Sequence, residues 1–179
     1  MFAISFIQCR DEYRSADFDI FVGVATMNVH EVNGKHESVR DFSELESDAQ
    51  ELINAAIEAR KFSYSPYSKF KVGSAIRTMD GTIIGGCNVE NAAYGPSICA
   101  ERTAVCKAIS MGHSEFKAVA VVAYQEDSFT TPCGVCRQVL SEFTKEDIPV
   151  YVAKPSPCRV LVTSIKSLLP FSFVPLPTN

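Results

Sequence analysis

The fold is decided by residues 118–153, which read AVAVVAYQEDSFTTPCGVCRQVLSEFTKEDIPVYVA. Residues 118–124 and Pro149–Ala153 are short apolar runs, typical of strands that are buried on both faces of a sheet. Between them, residues 133–143 have the apolar spacing of a helix. Because a strand, a helix and a second strand in this order form a parallel pair, the segment predicts the centre of an α/β sheet.

The flanking segments extend this sheet. Residues 70–77 and 82–86 enclose Asp80-Gly81, a pair of residues typical of a hairpin turn. Residues 159–163 predict one more strand, and helices are predicted at residues 43–61, 98–111 and 164–169. Together these elements predict a mixed five-stranded sheet with helices on both faces, which is a three-layer α-β-α sandwich of the α/β class.

The chain of 179 residues has the length of one domain with a modest extension. Residues 1–42 show no sustained period, so they are predicted to be an N-terminal extension of unclear structure. Residues 43–179 are predicted to form one catalytic domain that ends in a Pro-rich tail. A capping box at Ser43 to Glu46 predicts where the first helix of this domain begins.

Composition narrows the class of protein. The 17 basic residues do not outnumber the 21 acidic ones, and they form no cluster that would follow a phosphate backbone, so no nucleic-acid partner is expected. No apolar run has the length of a membrane span, and the first residues lack the features of a secretory signal, so a cytoplasmic protein without membrane contact is expected. Seven cysteines in such a protein favour metal binding over disulfides.

Three of these cysteines have the placement of metal ligands. Cys99 and the Cys133-Gly134-Val135-Cys136 segment each fall at the predicted start of a helix. There the helix dipole and the free N–H groups favour the thiolate form, which binds metal. Because zinc is tetrahedral, three thiolates leave one position for water, as in catalytic zinc sites. Cys99, Cys133 and Cys136 are therefore the predicted zinc ligands.

Two residues that follow Cys99 have predicted roles beside the metal. Glu101 lies close enough in sequence to reach a water molecule at the open position, and a carboxylate there can transfer protons. Three thiolates give a dipositive ion an excess of negative charge, which needs an offset. Arg102 is predicted to supply it by donating hydrogen bonds to thiolate sulfur.

Four ordered blocks between about residue 49 and residue 173 resemble the cytidine deaminase family, in particular its small branch with three cysteine ligands. The blocks are SPYSKF at 65–70, GCNVEN at 86–91, CAERTA at 99–104 and PCGVCRQ at 132–138. The resemblance implies zinc-dependent hydrolytic deamination of free cytidine and deoxycytidine to uridine and deoxyuridine, with release of ammonia, as part of pyrimidine salvage. It also implies one zinc ion per subunit and Glu101 as the residue that transfers protons.

The same resemblance implies the residues that bind the nucleoside. It places Asn88 and Glu90 on the ribose 3′-hydroxyl, Phe70 against the base or sugar, and the Ala100 N–H near the pyrimidine carbonyl. Members of this branch are typically homotetramers with shared active sites, and Tyr94 and Phe173 match positions that reach into a neighbouring subunit. The negative charge of Glu90 also predicts a preference for nucleosides over nucleotides.

Three other interpretations compete with this one. In a structural zinc module, Cys87 or Cys106 would complete a four-cysteine site. In a thiol redox protein, Cys133 and Cys136 would form a reducible disulfide. Among deaminases, blasticidin-S deaminase shares the PCGxCRQ segment but the CNVEN block favours cytidine, and polynucleotide deaminases usually carry His where this chain has Cys99.

Overall fold

The computed structural model describes residues 38–173. The expectations for residues 1–37 and 174–179 lie outside the described residues. Within residues 38–173, six strands form one mixed sheet in the order β1-β6-β5-β4-β2-β3. The strands are β1 Ser38–Asp41, β2 Val72–Thr78, β3 Ile83–Cys87, β4 Phe116–Ala123, β5 Pro149–Ala153 and β6 Arg159–Ser164. The predicted parallel pair is confirmed, because β4 and β5 run parallel while the other neighbours are antiparallel.

The expected count of five strands is wrong, because β1 adds a sixth. It lies in the segment that was predicted to be an unclear extension, and it pairs antiparallel with β6 at the edge of the sheet. Three of its four residues are exposed. An edge strand of this kind is held by backbone hydrogen bonds to one neighbour, so its sequence need not show the apolar alternation by which a buried strand is recognised.

Four α-helices accompany the sheet in the described part of the chain: α1 Ser47–Arg60, α2 Ala100–Ser110, α3 Gly134–Glu142 and α4 Ile165–Leu168. The predicted capping box is wrong, since Phe42–Glu44 form a 3-10 turn and Glu46 is the residue before α1, with no side-chain cap hydrogen bond. The other helices agree with their predicted ranges to within two residues at either end. None of the helices in the described residues has the length and apolar character of a membrane span.

The three-layer arrangement is visible in the alternation along β4. Ala118, Ala120 and Val122 pack with the buried face of α1. Val119 and Val121 point to the opposite face, where they join the buried residues of α2 and α3. Because successive strand residues face opposite sides of a sheet, one apolar strand fills two cores. The predicted α-β-α sandwich is confirmed.

Helix α2 lies unusually close to strand β3. A Cβ atom added to Gly86 would lie 2.4 Å from the Ala104 nitrogen and 2.7 Å from the Ala100 carbonyl oxygen. A side chain at this position would therefore overlap the helix backbone. The glycine lets the first turn of α2, which carries the residues of the candidate site, pack directly on the sheet.

Candidate active site

The three predicted metal ligands come together at the starts of α2 and α3. Cys99 precedes the first residue of α2, Cys133 precedes the first residue of α3, and Cys136 lies in the first turn of α3. Their sulfur atoms all lie within 4.8 Å of one another. The cluster contains neither Cys87 nor Cys106, so the described residues do not form the four-cysteine site of a structural module.

The sulfur geometry fits zinc. Three sulfurs that each lie about 2.3 Å from a tetrahedral zinc ion are about 3.8 Å apart. The Sγ atom of Cys133 lies 4.0 Å from that of Cys99 and 3.5 Å from that of Cys136, and all three are free thiols. Thiolates are ligands that zinc prefers. The donor set and its spacing therefore match this metal.

The thiols influence one another's protonation. A hydrogen bond with the Cys136 thiol, supported by one from Arg102, lowers the pKa of Cys99 well below its usual range. The pKa of Cys136 moves in the opposite direction, because it donates to Cys99 and is also desolvated by burial. Because metal binds thiolates, binding to all three sulfurs must release any proton that they share.

Arg102 contacts the sulfur cluster as predicted. Its Nη2 atom lies 3.8 Å from the Sγ atom of Cys99 and 3.3 Å from the carbonyl oxygen of Ser97. The hydrogen bond to Cys99 raises the pKa of the guanidinium, so the positive charge stays in place. Its Nε atom is buried and has no hydrogen-bond partner within the described residues. A fixed cation therefore lies against the thiolate that carries the negative charge.

Glu101 is the most deeply buried charged side chain beside the cluster. Its side chain is in the first turn of α2 and the residue is 4% exposed. Burial is the main cause that raises its pKa, and the nearby Cys99 thiolate adds to the effect. A carboxyl group with a raised pKa can both accept and release a proton near neutral pH. Its burial beside the sulfur cluster makes Glu101 a candidate for acid–base chemistry.

A cavity of about 290 Å³ opens beside these residues. The metal side of its wall contains Cys99, Glu101 and Cys133. The wall also contains four residues that were predicted to bind the nucleoside: Phe70, Asn88, Glu90 and Ala100. Residues that lie far apart in the sequence therefore face one space.

Asn88 is held by the loop that precedes β2. Its Oδ1 atom accepts hydrogen bonds from the Val72 N–H at 2.8 Å and the Ser63 hydroxyl at 2.5 Å. Its Nδ2 atom donates to the Phe70 carbonyl at 2.9 Å. An amide oxygen accepts two hydrogen bonds and an amide nitrogen donates two, so one N–H of Asn88 remains for a ligand in the cavity.

Glu90 is held by the same loop. Its Oε2 atom accepts from the backbone N–H groups of Tyr67 at 3.0 Å and Ser68 at 3.2 Å, and its Oε1 atom accepts from the Ser68 hydroxyl. These hydrogen bonds, that of the Ser68 hydroxyl first, lower the pKa of Glu90. The carboxylate is therefore ionised at neutral pH, and it can only accept hydrogen bonds from a ligand.

Two of the predicted nucleoside contacts do not line this cavity. Tyr94 is 85% exposed and Phe173 is 75% exposed, and neither belongs to the cavity wall. The Phe173 backbone is nevertheless fixed, because Gln138 donates to its carbonyl oxygen at 3.0 Å and accepts from its N–H at 3.3 Å. The aromatic ring is thus presented outward on an anchored segment.

Sequence reasoning missed the residues that hold the site in shape. Arg137 had no predicted role, yet it donates to the Pro132 and Leu168 carbonyls at 2.7 and 2.8 Å. The hydroxyls of Ser63 and Ser68 support Asn88 and Glu90. No periodic pattern marks such contacts, but the position of Arg137 directly after the ligand Cys136 was a signal that could have found it.

Comparisons with known proteins agree with this geometry. The family model described as "Cytidine and deoxycytidylate deaminase zinc-binding region" matches residues 46–152. The chain is 48% identical over 126 residues to a cytidine deaminase of Sporosarcina psychrophila, a match that covers 70% of this chain and 91% of the relative. It is 50% identical over 105 residues to a cytidine deaminase of Halalkalibacterium halodurans, a match that covers 59% of this chain and 79% of that relative.

A solved structure extends the agreement to the fold. The crystal structure of cytidine deaminase from Burkholderia pseudomallei aligns with a TM-score of 0.65 and 45% sequence identity, over 72% of this chain and all of that one. Clustered thiols beside a buried glutamate on an α-β-α sandwich define the class of zinc deaminases. Within that class the chain belongs to the cytidine deaminase family, whose members are hydrolytic deaminases.

Proposed function

We propose that this chain catalyses the zinc-dependent hydrolysis of free cytidine and deoxycytidine to uridine and deoxyuridine with release of ammonia. The observation that carries the proposal is the cavity, whose wall brings together the buried Glu101, two cysteines of the sulfur cluster and the Asn88 and Glu90 pair. A pyrimidine nucleoside has an amidine at one end and hydroxyls at the other, which suit these two sets of side chains.

Cys99, Cys133 and Cys136 would hold the metal. Zinc bound there would supply a Lewis acid that makes a water molecule a stronger nucleophile near neutral pH. Arg102, whose guanidinium contacts Cys99, offsets part of the negative charge that three thiolates bring to the site. The chain's own contribution is therefore a fixed set of ligands with a compensating cation.

Glu101 moves the protons of the reaction. Hydrolysis forms a C4–O bond, breaks the bond from C4 to the exocyclic amino nitrogen and consumes one water. One proton of that water must reach ring N3 and the other must reach the departing amine, and the raised pKa of Glu101 favours its accepting and returning each of them in turn. Its burial keeps bulk water from competing for the same proton.

The other end of the cavity recognises the sugar. Asn88 offers one N–H donor and Glu90 offers acceptors, so a single hydroxyl can accept from the first and donate to the second. Phe70 supplies an aromatic wall for the base or sugar. Ala100 is the first residue of α2, and the first N–H groups of a helix have no partner within it, so its N–H is suited to the pyrimidine carbonyl.

The remaining expectations belong to the same proposal. We propose a homotetramer with one zinc ion per subunit, in which Tyr94 and Phe173 contact the substrate of a neighbouring subunit; their high exposure on this chain supports it. The catalytic domain spans residues 43–179 after an extension. We also propose a cytoplasmic role in pyrimidine salvage without membrane partners. The absence of a nucleic-acid partner is supported by the net charge of −4 and the lack of a basic cluster in the sequence.

The test compares the wild type with Glu101→Gln. We expect one zinc ion per chain in both by elemental analysis, and turnover of cytidine and deoxycytidine, followed by ultraviolet absorbance, in the wild type only. The variant should lose about a thousandfold in kcat, the scale of general acid–base catalysis. Bound zinc without turnover in the wild type would contradict the proposed substrates, and an active variant would contradict the role of Glu101.

A further inference from the structure

Ser63 has a polar contact that belongs to no element of the proposed mechanism. We propose that Ser63 is a positioning residue that sets selectivity for the sugar hydroxyl, because its own hydroxyl fixes the amide of Asn88. The inference rests on the proposed function, since it concerns the sugar end of the same cavity. Ser63 itself does not line the cavity, so it acts through Asn88.

The backbone around Asn88 determines which way its amide faces. The Val72 N–H can only donate and the Phe70 carbonyl can only accept, so Oδ1 faces the first and Nδ2 faces the second. The Ser63 hydroxyl then takes the second acceptor site of Oδ1 at 2.5 Å. With both acceptor sites filled, Asn88 presents a donor and no acceptor to the cavity.

Ser63 is held in place independently of any ligand. Its N–H donates to the Arg60 carbonyl at the end of α1, and the next N–H, that of Tyr64, donates to the Asn88 carbonyl, both at 3.1 Å. Its hydroxyl also lies 3.3 Å from the hydroxyl of the buried Ser65. The end of α1 therefore places the Ser63 oxygen against Asn88 before substrate arrives.

Removal of the Ser63 hydroxyl would change what Asn88 offers to a ligand. One acceptor site of Oδ1 would open in a half-buried position, and the amide would lose one of the three hydrogen bonds that fix its plane. A substrate with a 3′-hydroxyl would then meet a misplaced donor. A substrate without that hydroxyl makes no such contact, so its kcat/KM should stay nearly the same.

The experiment measures kcat and KM for Ser63→Ala with cytidine, deoxycytidine and 3′-deoxycytidine. For the first two substrates we expect a fall in kcat/KM of about fivefold, the scale of one neutral hydrogen bond, carried mainly by KM. For 3′-deoxycytidine we expect a change of less than about twofold. Ser63→Thr keeps a hydroxyl and should restore most of the selectivity.

Ser110→Ala is the matched control, because the only partner of the Ser110 hydroxyl among residues 38–173 is the Lys107 carbonyl at the far end of α2. It should leave all three substrates unchanged. An equal loss on all three substrates with Ser63→Ala, or no loss on any, would overturn the role of Ser63 while leaving the proposed function intact. A wild type that turns over none of the nucleosides would instead contradict the proposed function. It would also contradict the inference, which depends on that function.

Discussion

The proposed metal end of the site (Cys99, Glu101, Cys133 and Cys136) lies at the starts of two helices, whereas its proposed sugar end (Asn88 and Glu90) follows strand β3 in a segment without regular structure. Glu101 is buried at the metal end and its charge is disfavoured, while hydrogen bonds from a loop stabilise the charge of Glu90. Under the proposed function, this difference separates two tasks: helix packing creates the reactive groups at one end, and a loop fixes the recognition groups at the other.

The largest effect should come from the metal end itself. Cys99→Ser replaces a thiolate ligand with a hydroxyl, and we expect zinc affinity to fall about a hundredfold or more, since bound metal depends on its full set of deprotonated ligands. Turnover should fall with zinc content. Cys106→Ser is the matched control, because this exposed thiol lies on the same helix outside the cluster. Equal zinc affinity in the two variants would contradict the assigned ligands.

The packing of α2 on the sheet gives the next largest effect. Gly86→Ala places a Cβ atom 2.4 Å from the Ala104 nitrogen, and a helix backbone can only respond by moving. We expect the free energy of unfolding to fall by about 3 kcal/mol, at the upper end of overpacking effects, and zinc content to fall because Cys99 moves with the helix. Chemical denaturation measures the free energy of unfolding, and elemental analysis measures the zinc content.

Gly95→Ala is the control for this variant. No atom in the described part of the chain lies within 4 Å of the Cβ position at Gly95, so its unfolding free energy should remain close to that of the wild type. If Gly86→Ala were as stable as Gly95→Ala and kept its zinc, the metal end would not depend on close packing of α2, and the contrast between the two ends would lose its basis.

Arg102 tests whether the metal end also needs a compensating charge. Arg102→Ala removes the guanidinium that lies 3.8 Å from the Cys99 sulfur, and we expect zinc affinity or kcat to fall about 10- to 100-fold, as for other groups that support metal ligands. Arg102→Lys keeps the charge without the planar geometry and should lose less. If both zinc retention and turnover were unchanged in the alanine variant, the assigned role would be wrong.

The two ends also differ in how far the sequence predicted them. The three cysteines, Glu101 and Arg102 were proposed from the sequence because helix starts and the Cys-x-x-Cys spacing carry their own physical signal, and the structure brings the cysteines together. Asn88 and Glu90 were assigned by family resemblance alone. Their hydrogen bonds to residues 63–72 depend on contacts across the loop, which no local pattern records.

The fold shows the same division. Buried strands such as Pro149–Ala153 were placed to the residue, because burial on both faces leaves an apolar run. The edge strand Ser38–Asp41 was missed, since its pairing with β6 uses backbone groups and leaves most of its side chains exposed. What the sequence did not predict is held by hydrogen bonds between segments that are distant in sequence.

A smaller effect should come from the sugar end, where Glu90→Gln removes a charge and keeps the size of the side chain. We expect kcat/KM for deoxycytidine to fall about tenfold through KM, because a hydrogen bond to a charged acceptor is stronger than one to a neutral acceptor. The ratio of kcat/KM for deoxycytidine to that for its monophosphate should fall as well, since the carboxylate no longer repels a phosphate.

Glu115→Gln makes the same charge change at a surface residue that pairs with Lys145, and it should alter neither quantity. Comparable kcat/KM values for deoxycytidine and its monophosphate in the wild type would contradict the predicted nucleoside preference. A loss in kcat alone with Glu90→Gln would mean that the sugar end takes part in the chemistry. A rise in KM with kcat unchanged would place recognition there and chemistry at the metal end. A group that binds substrate and transition state equally changes only the affinity.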